Sequence, residues 1–203
     1  MIFRKIFRME SETLTSLLIA GLGNPGQKYR CNRHNAGYMV LDRLASRLGV
    51  AFARLESKAL VTKADYAGKR MVLAKPHTYM NLSGQSIAAL VRFYKVPFDK
   101  LMVVYDDVDL PLGVLRLRPG GGSAGQKGMI SIIDRLGTHD FPRLRVGIGR
   151  PPGRMDAAAY VLRDFSASEK DILDETLETA VEAVLMFADE GLEAAMNRYN
   201  GLA

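Results

Sequence analysis

Cysteine is nearly absent: Cys31 stands alone among 203 residues. No intrachain disulfide and no C-x-x-C metal or redox site can form, which suits a reducing cytoplasm. Histidine is scarce as well. His34, His77 and His139 show neither H-x-x-H nor H-E-x-x-H spacing, so no dedicated zinc site is expected and a metal-free, cofactor-free chemistry is the default. No internal repeat, low-complexity tract or membrane-length apolar run is found, so no membrane partner is expected. Residues 1–16, MIFRKIFRMESETLTS, are basic but have no apolar core of signal-peptide length. They read as a flexible N-terminal arm, or as an upstream start before Met9. An amphipathic arm docking through Ile2, Phe3, Ile6 and Phe7 is the alternative.

What is present, 48% hydrophobic and 25% charged residues, suits one globular α/β domain over 17–203. The formal charge of +6 and pI near 9.5 favour a polyanionic partner such as nucleic acid.

Leu17-Leu18-Ile19-Ala20 has the length and bulk of a buried strand, and it breaks at Gly21-Leu22-Gly23-Asn24-Pro25-Gly26. Tyr38, Leu41, Leu44, Ala45 and Leu48 then share a helical face, which puts His34 near a helix start. Ala59 to Tyr66 and Arg70 to Ala74 predict a hairpin about Ala67-Gly68-Lys69. Ile87, Leu90, Val91 and Tyr94 predict a helix with Ser83 as its N-cap and Asn81 just before it. Leu101 to Tyr105 is a continuous apolar strand delivering Asp106, Asp107 and Asp109 into a loop. In the strands Val114 to Arg118 and Leu144 to Gly149, period two puts Arg116 with Arg118 on one face and Arg143 with Arg145 on one face. Between these strands, Pro119 to Gly128 reads as a mobile glycine-rich loop ahead of a helix from Met129 to Leu136. A long amphipathic helix follows Ser168 as N-cap, and Gly191 sets off a short last one.

Two motifs mislead. Gly21, Gly23 and Gly26 satisfy the dinucleotide fingerprint G-x-G-x-x-G, yet a polar loop from Gln27 to Arg33 delays the helix and Asp42 lies inside it. Gly121 to Gly125 satisfies G-x-S-x-G, yet Pro119 and three glycines separate Ser123 from a strand tip, where a nucleophile elbow needs its serine. The acidic loop Asp106-Asp107-Val108-Asp109 could hold magnesium, but turn chemistry or one orienting carboxylate is the commoner use. What is left is a set of polar residues at separate strand ends: Asn24, His34, Asn81 and Asp106. A neutral imidazole can take a proton from water, a carboxylate on its other nitrogen fixes the tautomer, and asparagine amides can hold a carbonyl or a water. Singly, each residue reads as a turn, a cap or a helix-start contact, so their convergence is the hypothesis.

From about Leu17 to Asn197 the sequence resembles the bacterial-type peptidyl-tRNA hydrolases. The resemblance is carried by Gly21-Leu22-Gly23-Asn24-Pro25-Gly26, Tyr29, Arg33-His34-Asn35-Ala36-Gly37, Thr78-Tyr79-Met80-Asn81-Leu82-Ser83-Gly84, and Asp106-Asp107-Val108-Asp109-Leu110-Pro111-Leu112-Gly113. It implies a monomeric α/β fold with a twisted mixed sheet flanked by helices. The implied reaction cleaves the ester between a peptide and the 3′ ribose of tRNA. By this resemblance His34 is the general base and Asp106 the carboxylate that orients it. Asn24 and Asn81 position water and the peptide carbonyl, Tyr29 and Met80 wall the substrate channel, and Arg118 and Arg145 clamp the tRNA 5′-phosphate.

The common pattern Gly-His-Asn-Gly before a helix is here Gly125-Gln126-Lys127-Gly128, and Asn32 takes a usual threonine position. Lys127 is expected to grip the tRNA acceptor end as a cation, with oxyanion stabilisation second and a solvated lysine third. Three functions compete: the metal-free esterase, a non-catalytic RNA-binding relative such as the chloroplast splicing factor of this fold, and a serine esterase using Ser123. Retention of His34, Asp106, Asn24 and Asn81 favours the first.

Overall fold

A computed structural model describes residues 16–201, so the arm reading of residues 1–15 lies outside the described residues. Seven strands form one mixed sheet in the order β2-β3-β4-β1-β5-β7-β6. They are β1 (Ser16–Gly21), β2 (Arg54–Glu56), β3 (Ala59–Tyr66), β4 (Lys69–Pro76), β5 (Leu101–Asp107), β6 (Leu115–Arg118) and β7 (Arg143–Gly147). β4, β1, β5 and β7 run parallel, while β2, β3 and β6 join the two edges antiparallel.

The central strands β1 and β5 carry continuous apolar runs, Leu17 to Ala20 and Leu101 to Tyr105, because both faces of the sheet are covered there. Leu17 and Ile19 point toward α1 (Ala36–Arg47) and α5 (Lys170–Glu190), whereas Leu18 and Ala20 point toward α2 (Ser83–Tyr94) and α3 (Lys127–Leu136). α1 covers one face on the way from β1 to the hairpin, and α2 covers the other on the way from β4 to β5. The connections leaving β1 and β5 run to opposite edges of the sheet, and a crevice opens at the C-terminal ends of β4, β1 and β5.

Gly37 fixes how closely the first helix approaches that crevice. A Cβ there would lie 2.3 Å from the Val104 carbonyl oxygen and 2.5 Å from the Leu22 nitrogen. Only glycine lets the start of α1 rest on the main chain of β1 and β5. Gly21, first glycine of the fingerprint-like motif, meets the Gly37 carbonyl in the same way, so it serves strand-to-helix packing.

Several local expectations change. The hairpin turn is two residues, Ala67 and Gly68, both at positive φ as a type I′ turn requires. Ser16, expected in the arm, opens β1, and the short exposed strand β2 was not foreseen. Ser83 is the first residue of α2 and donates to the Met80 carbonyl instead of capping, because a 3-10 turn at Met80–Leu82 already leads into the helix. The capping box ahead of α5 belongs to Ser166 and Glu169, not to Ser168. α3 starts at Lys127, two residues early, since the Gln126 side chain caps it. Two further helices are α4 (Ala157–Val161), unforeseen, and α6 (Leu192–Tyr199). Among the described residues no helix is long and apolar enough to cross a membrane.

Candidate active site

Three neighbouring parallel strands bring the candidate groups together. The loop after β1 carries Asn24, the segment after β4 carries Met80 and Asn81, and β5 ends at Asp106 and Asp107. Between β1 and α1 a 3-10 turn at Arg33–Asn35 holds His34 over the same crevice. Asn24, Tyr29, His34, Met80, Asn81, Asp106 and Lys127 all line one hollow of about 650 Å³. Tyr79, Val108, Val161 and Leu162 give it apolar walls.

His34 Nδ1 lies 2.8 Å from Asp106 Oδ2, and both residues are more than nine-tenths buried. A carboxylate only accepts, so Nδ1 carries the hydrogen and Nε2 is left with a lone pair. That is the tautomer a general base needs. The other Asp106 oxygen accepts a hydrogen bond from Gln126 Nε2 at 3.1 Å.

Asn24 is clamped at both ends of its peptide unit. Its amide donates to Asn35 Oδ1 at 2.9 Å, and Asn35 Nδ2 donates to its carbonyl at 3.0 Å. The side-chain oxygen accepts from the Met80 amide at 2.9 Å, which leaves Nδ2 as the donor available to a ligand. Asn35 is thus a positioning residue that the sequence did not assign. Its signal was its place beside His34 in the motif Arg33-His34-Asn35-Ala36-Gly37.

The turn bearing His34 is also bolted to the far end of the chain. Asn32 Nδ2 donates to the Leu162 carbonyl at 2.5 Å and to Asp164 Oδ1 at 2.7 Å. Arg33 donates to both Glu169 carboxylate oxygens at 2.8 and 2.7 Å and to the Asp164 carbonyl, and its guanidinium stacks on Tyr160 and Phe165. Burial raises the Glu169 carboxyl, but hydrogen bonds from Ser166 and the Arg33 charge outweigh it, so the net shift is downward. α4 becomes a wall of the hollow through these contacts.

The strand arginines divide into different roles. Cross-strand register pairs Arg116 with Arg145 and Arg118 with Arg143, so all four share a face. Arg118 is exposed. Arg145 pairs with buried Asp107; burial lowers its guanidinium, but the Asp107 contact outweighs this and the net shift is upward. Arg143, expected on one face with Arg145, is 1% exposed and does something else. It donates to the carbonyls of Gly121, Gly122 and His139, and burial lowers its guanidinium. It pins the start of the glycine-rich segment, which the sequence alone presents as mobile. Ser123 lies in that segment beyond the end of β6, and its hydroxyl accepts from the Gly125 amide at 3.3 Å. It has no place at a strand tip.

Lys127 is exposed on the first turn of α3 and lines both the main hollow and a smaller one that Asn81 and Leu82 also line. A cation there opposes the helix dipole, so nothing in the helix itself calls for it. Among the described residues no three histidine, cysteine, aspartate or glutamate side chains group to hold a metal ion.

A family model described as peptidyl-tRNA hydrolase matches residues 18–203. A Frankia casuarinae protein named peptidyl-tRNA hydrolase is 52% identical over 185 residues, which cover 91% of this chain and 94% of that one. The Chloroflexus aggregans protein of the same name is 50% identical, covering 91% and 99%. A chloroplastic peptidyl-tRNA hydrolase of Arabidopsis thaliana is also 50% identical, over 90% of this chain and 64% of its own. Among solved structures, the peptidyl-tRNA hydrolase of Acinetobacter baumannii superposes with a TM-score of 0.87 at 32% identity, covering 95% of this chain and 98% of that one. With the match running through both halves of the sheet and through every segment that lines the hollow, the chain belongs to the peptidyl-tRNA hydrolase family.

Proposed function

We propose that this chain hydrolyses the ester linking a peptide to the 3′ ribose of tRNA, with His34 as general base, and that residues 17–203 act as one catalytic domain. The observation that carries the mechanism is the buried His34–Asp106 pair at 2.8 Å on the floor of the hollow. His34 Nε2 takes a proton from water as the water oxygen attacks the ester carbonyl carbon. The tetrahedral oxyanion then collapses, the bond to the ribose oxygen breaks, and the imidazolium returns its proton to that oxygen. Asn24 Nδ2 and Asn81 serve the carbonyl and the water, and Tyr29 and Met80 flank the peptide. The step needs no metal or organic cofactor, because histidine and carboxylate suffice to activate water.

Arg118 and Lys127 supply exposed positive charge for the phosphates of the acceptor end, with Arg145 behind them. The enzyme works as a monomer in the cytoplasm, where its substrate is made. Incubation with a purified N-acyl-aminoacyl-tRNA should release free tRNA, in the presence of EDTA as in its absence. His34→Ala should lower kcat by about 10² to 10⁴ with tRNA affinity kept. A His34→Ala enzyme with wild-type kcat would sink the mechanism, and a wild type that binds the substrate without cleaving it would point to an RNA-binding role.

A further inference from the structure

We propose that Gln126 is a positioning residue for Asp106, holding the carboxylate to the His34 tautomer that accepts a proton; this rests on the reaction just proposed. Gln126 has both ends of its amide committed. Its Oε1 accepts from the Met129 amide at 2.8 Å and caps α3, which fixes which end of the amide faces the hollow. Its Nε2 is thereby turned to Asp106 Oδ1 at 3.1 Å, with the Met80 sulfur 3.3 Å away.

The helix cap orients an amide donor, the donor orients a carboxylate, and the carboxylate orients the imidazole. Each link fixes the hydrogen position in the next. Gly128 makes room for the arrangement, because a Cβ at that position would lie 2.6 Å from the Met80 sulfur and 3.0 Å from Gln126 Oε1. A cap alone does not explain the residue, since serine, asparagine and aspartate cap better than glutamine.

Two variants separate capping from positioning. Gln126→Ser keeps a cap and loses the reach to Asp106. Gln126→Glu keeps length, volume and a capping oxygen but replaces the donor with a second carboxylate. The expected result is a kcat about tenfold lower for the serine variant, the order of one hydrogen bond to an ionised group. The glutamate variant should lose more. KM and thermal midpoint should stay at wild-type values in the serine variant. If kcat losses instead track the thermal midpoint, or if both variants keep wild-type kcat, the inference is overturned. A raised KM at constant kcat would put Gln126 on the substrate and overturn it too. Failure of the wild type to release tRNA would sink the reaction reading and this inference together, whereas unchanged variants of an active wild type sink this inference alone.

Discussion

Asp106→Asn is the substitution on which the hydrogen-bond geometry speaks most sharply. From sequence alone it reads as milder than removing His34, because it weakens orientation and leaves the base in place. Gln126 changes that. Asp106 accepts from two donors, one on each oxygen, and an asparagine amide has only one oxygen to offer. Gln126 cannot turn over, because its own oxygen is held by the Met129 amide. The new amide therefore gives its oxygen to Gln126 and its NH₂ to His34 Nδ1, and the imidazole proton moves to Nε2. A base protonated on its working nitrogen cannot accept from water. Where a catalytic histidine is put in the wrong tautomer this way, kcat falls by about 10⁴, and we expect about 10³ to 10⁴ here, roughly 4 to 5.5 kcal/mol of barrier. Removing the competitor should undo part of the damage: in the double variant Asp106→Asn with Gln126→Ser the oxygen can turn back to His34, and this protein should run about 10- to 100-fold faster than Asp106→Asn alone. Single-turnover hydrolysis of an N-acyl-aminoacyl-tRNA measures both. An Asp106→Asn enzyme within about tenfold of wild type, or a double variant no faster than the single, would refute the tautomer argument.

Arg118→Ala should lower the log–log salt slope of tRNA binding by on the order of 0.7 to 0.9, one phosphate's worth of counterions, without loss of thermal stability; an unchanged slope would remove it from the interface. Arg145→Ala should weaken binding and also lower the melting midpoint, because it strands buried Asp107 without its cation. Lys127→Ala should raise KM for full-length substrate with kcat nearly unchanged, and relieve a cation at the start of α3; a fall in kcat would move Lys127 to the oxyanion. Glu169→Gln should cost about 1–2 kcal/mol in urea unfolding at neutral pH. Since the folded carboxyl titrates below its unfolded value, this contribution is full above the ordinary glutamate range and fades as pH falls through the folded one, so the two proteins should converge in acid.

The strands β1 and β5 were legible as unbroken apolar runs and the main helices as stripes at helical spacing, because burial on two faces or one writes itself into residue type. At the candidate site the gathering of residue types was legible: His34, Asp106, Asn24 and Asn81 all line the hollow. Depth was not legible. Period two placed Arg143 beside Arg145, but nothing in the alternation says that the segment around Gly121 folds back over one and not the other. Nor did α4 announce itself, since Ala157-Ala158-Ala159-Tyr160-Val161 is short and buries only Tyr160. Gln126 was visible as a departure from the family pattern, while its two partners came only from the fold.

The clasp around Arg33 bears on when a newly made chain can act. Synthesis delivers His34 early and Asp106 next, yet Arg33 finds Asp164 and Glu169 only across 131 and 136 residues of sequence. A nascent chain ending before Asp164 has Asn24 and Asp106 to hold the turn that carries His34, but not the partners of Asn32 and Arg33. Contacts of such sequence separation close late, so the clasp on this turn waits for the C-terminal segment of the chain.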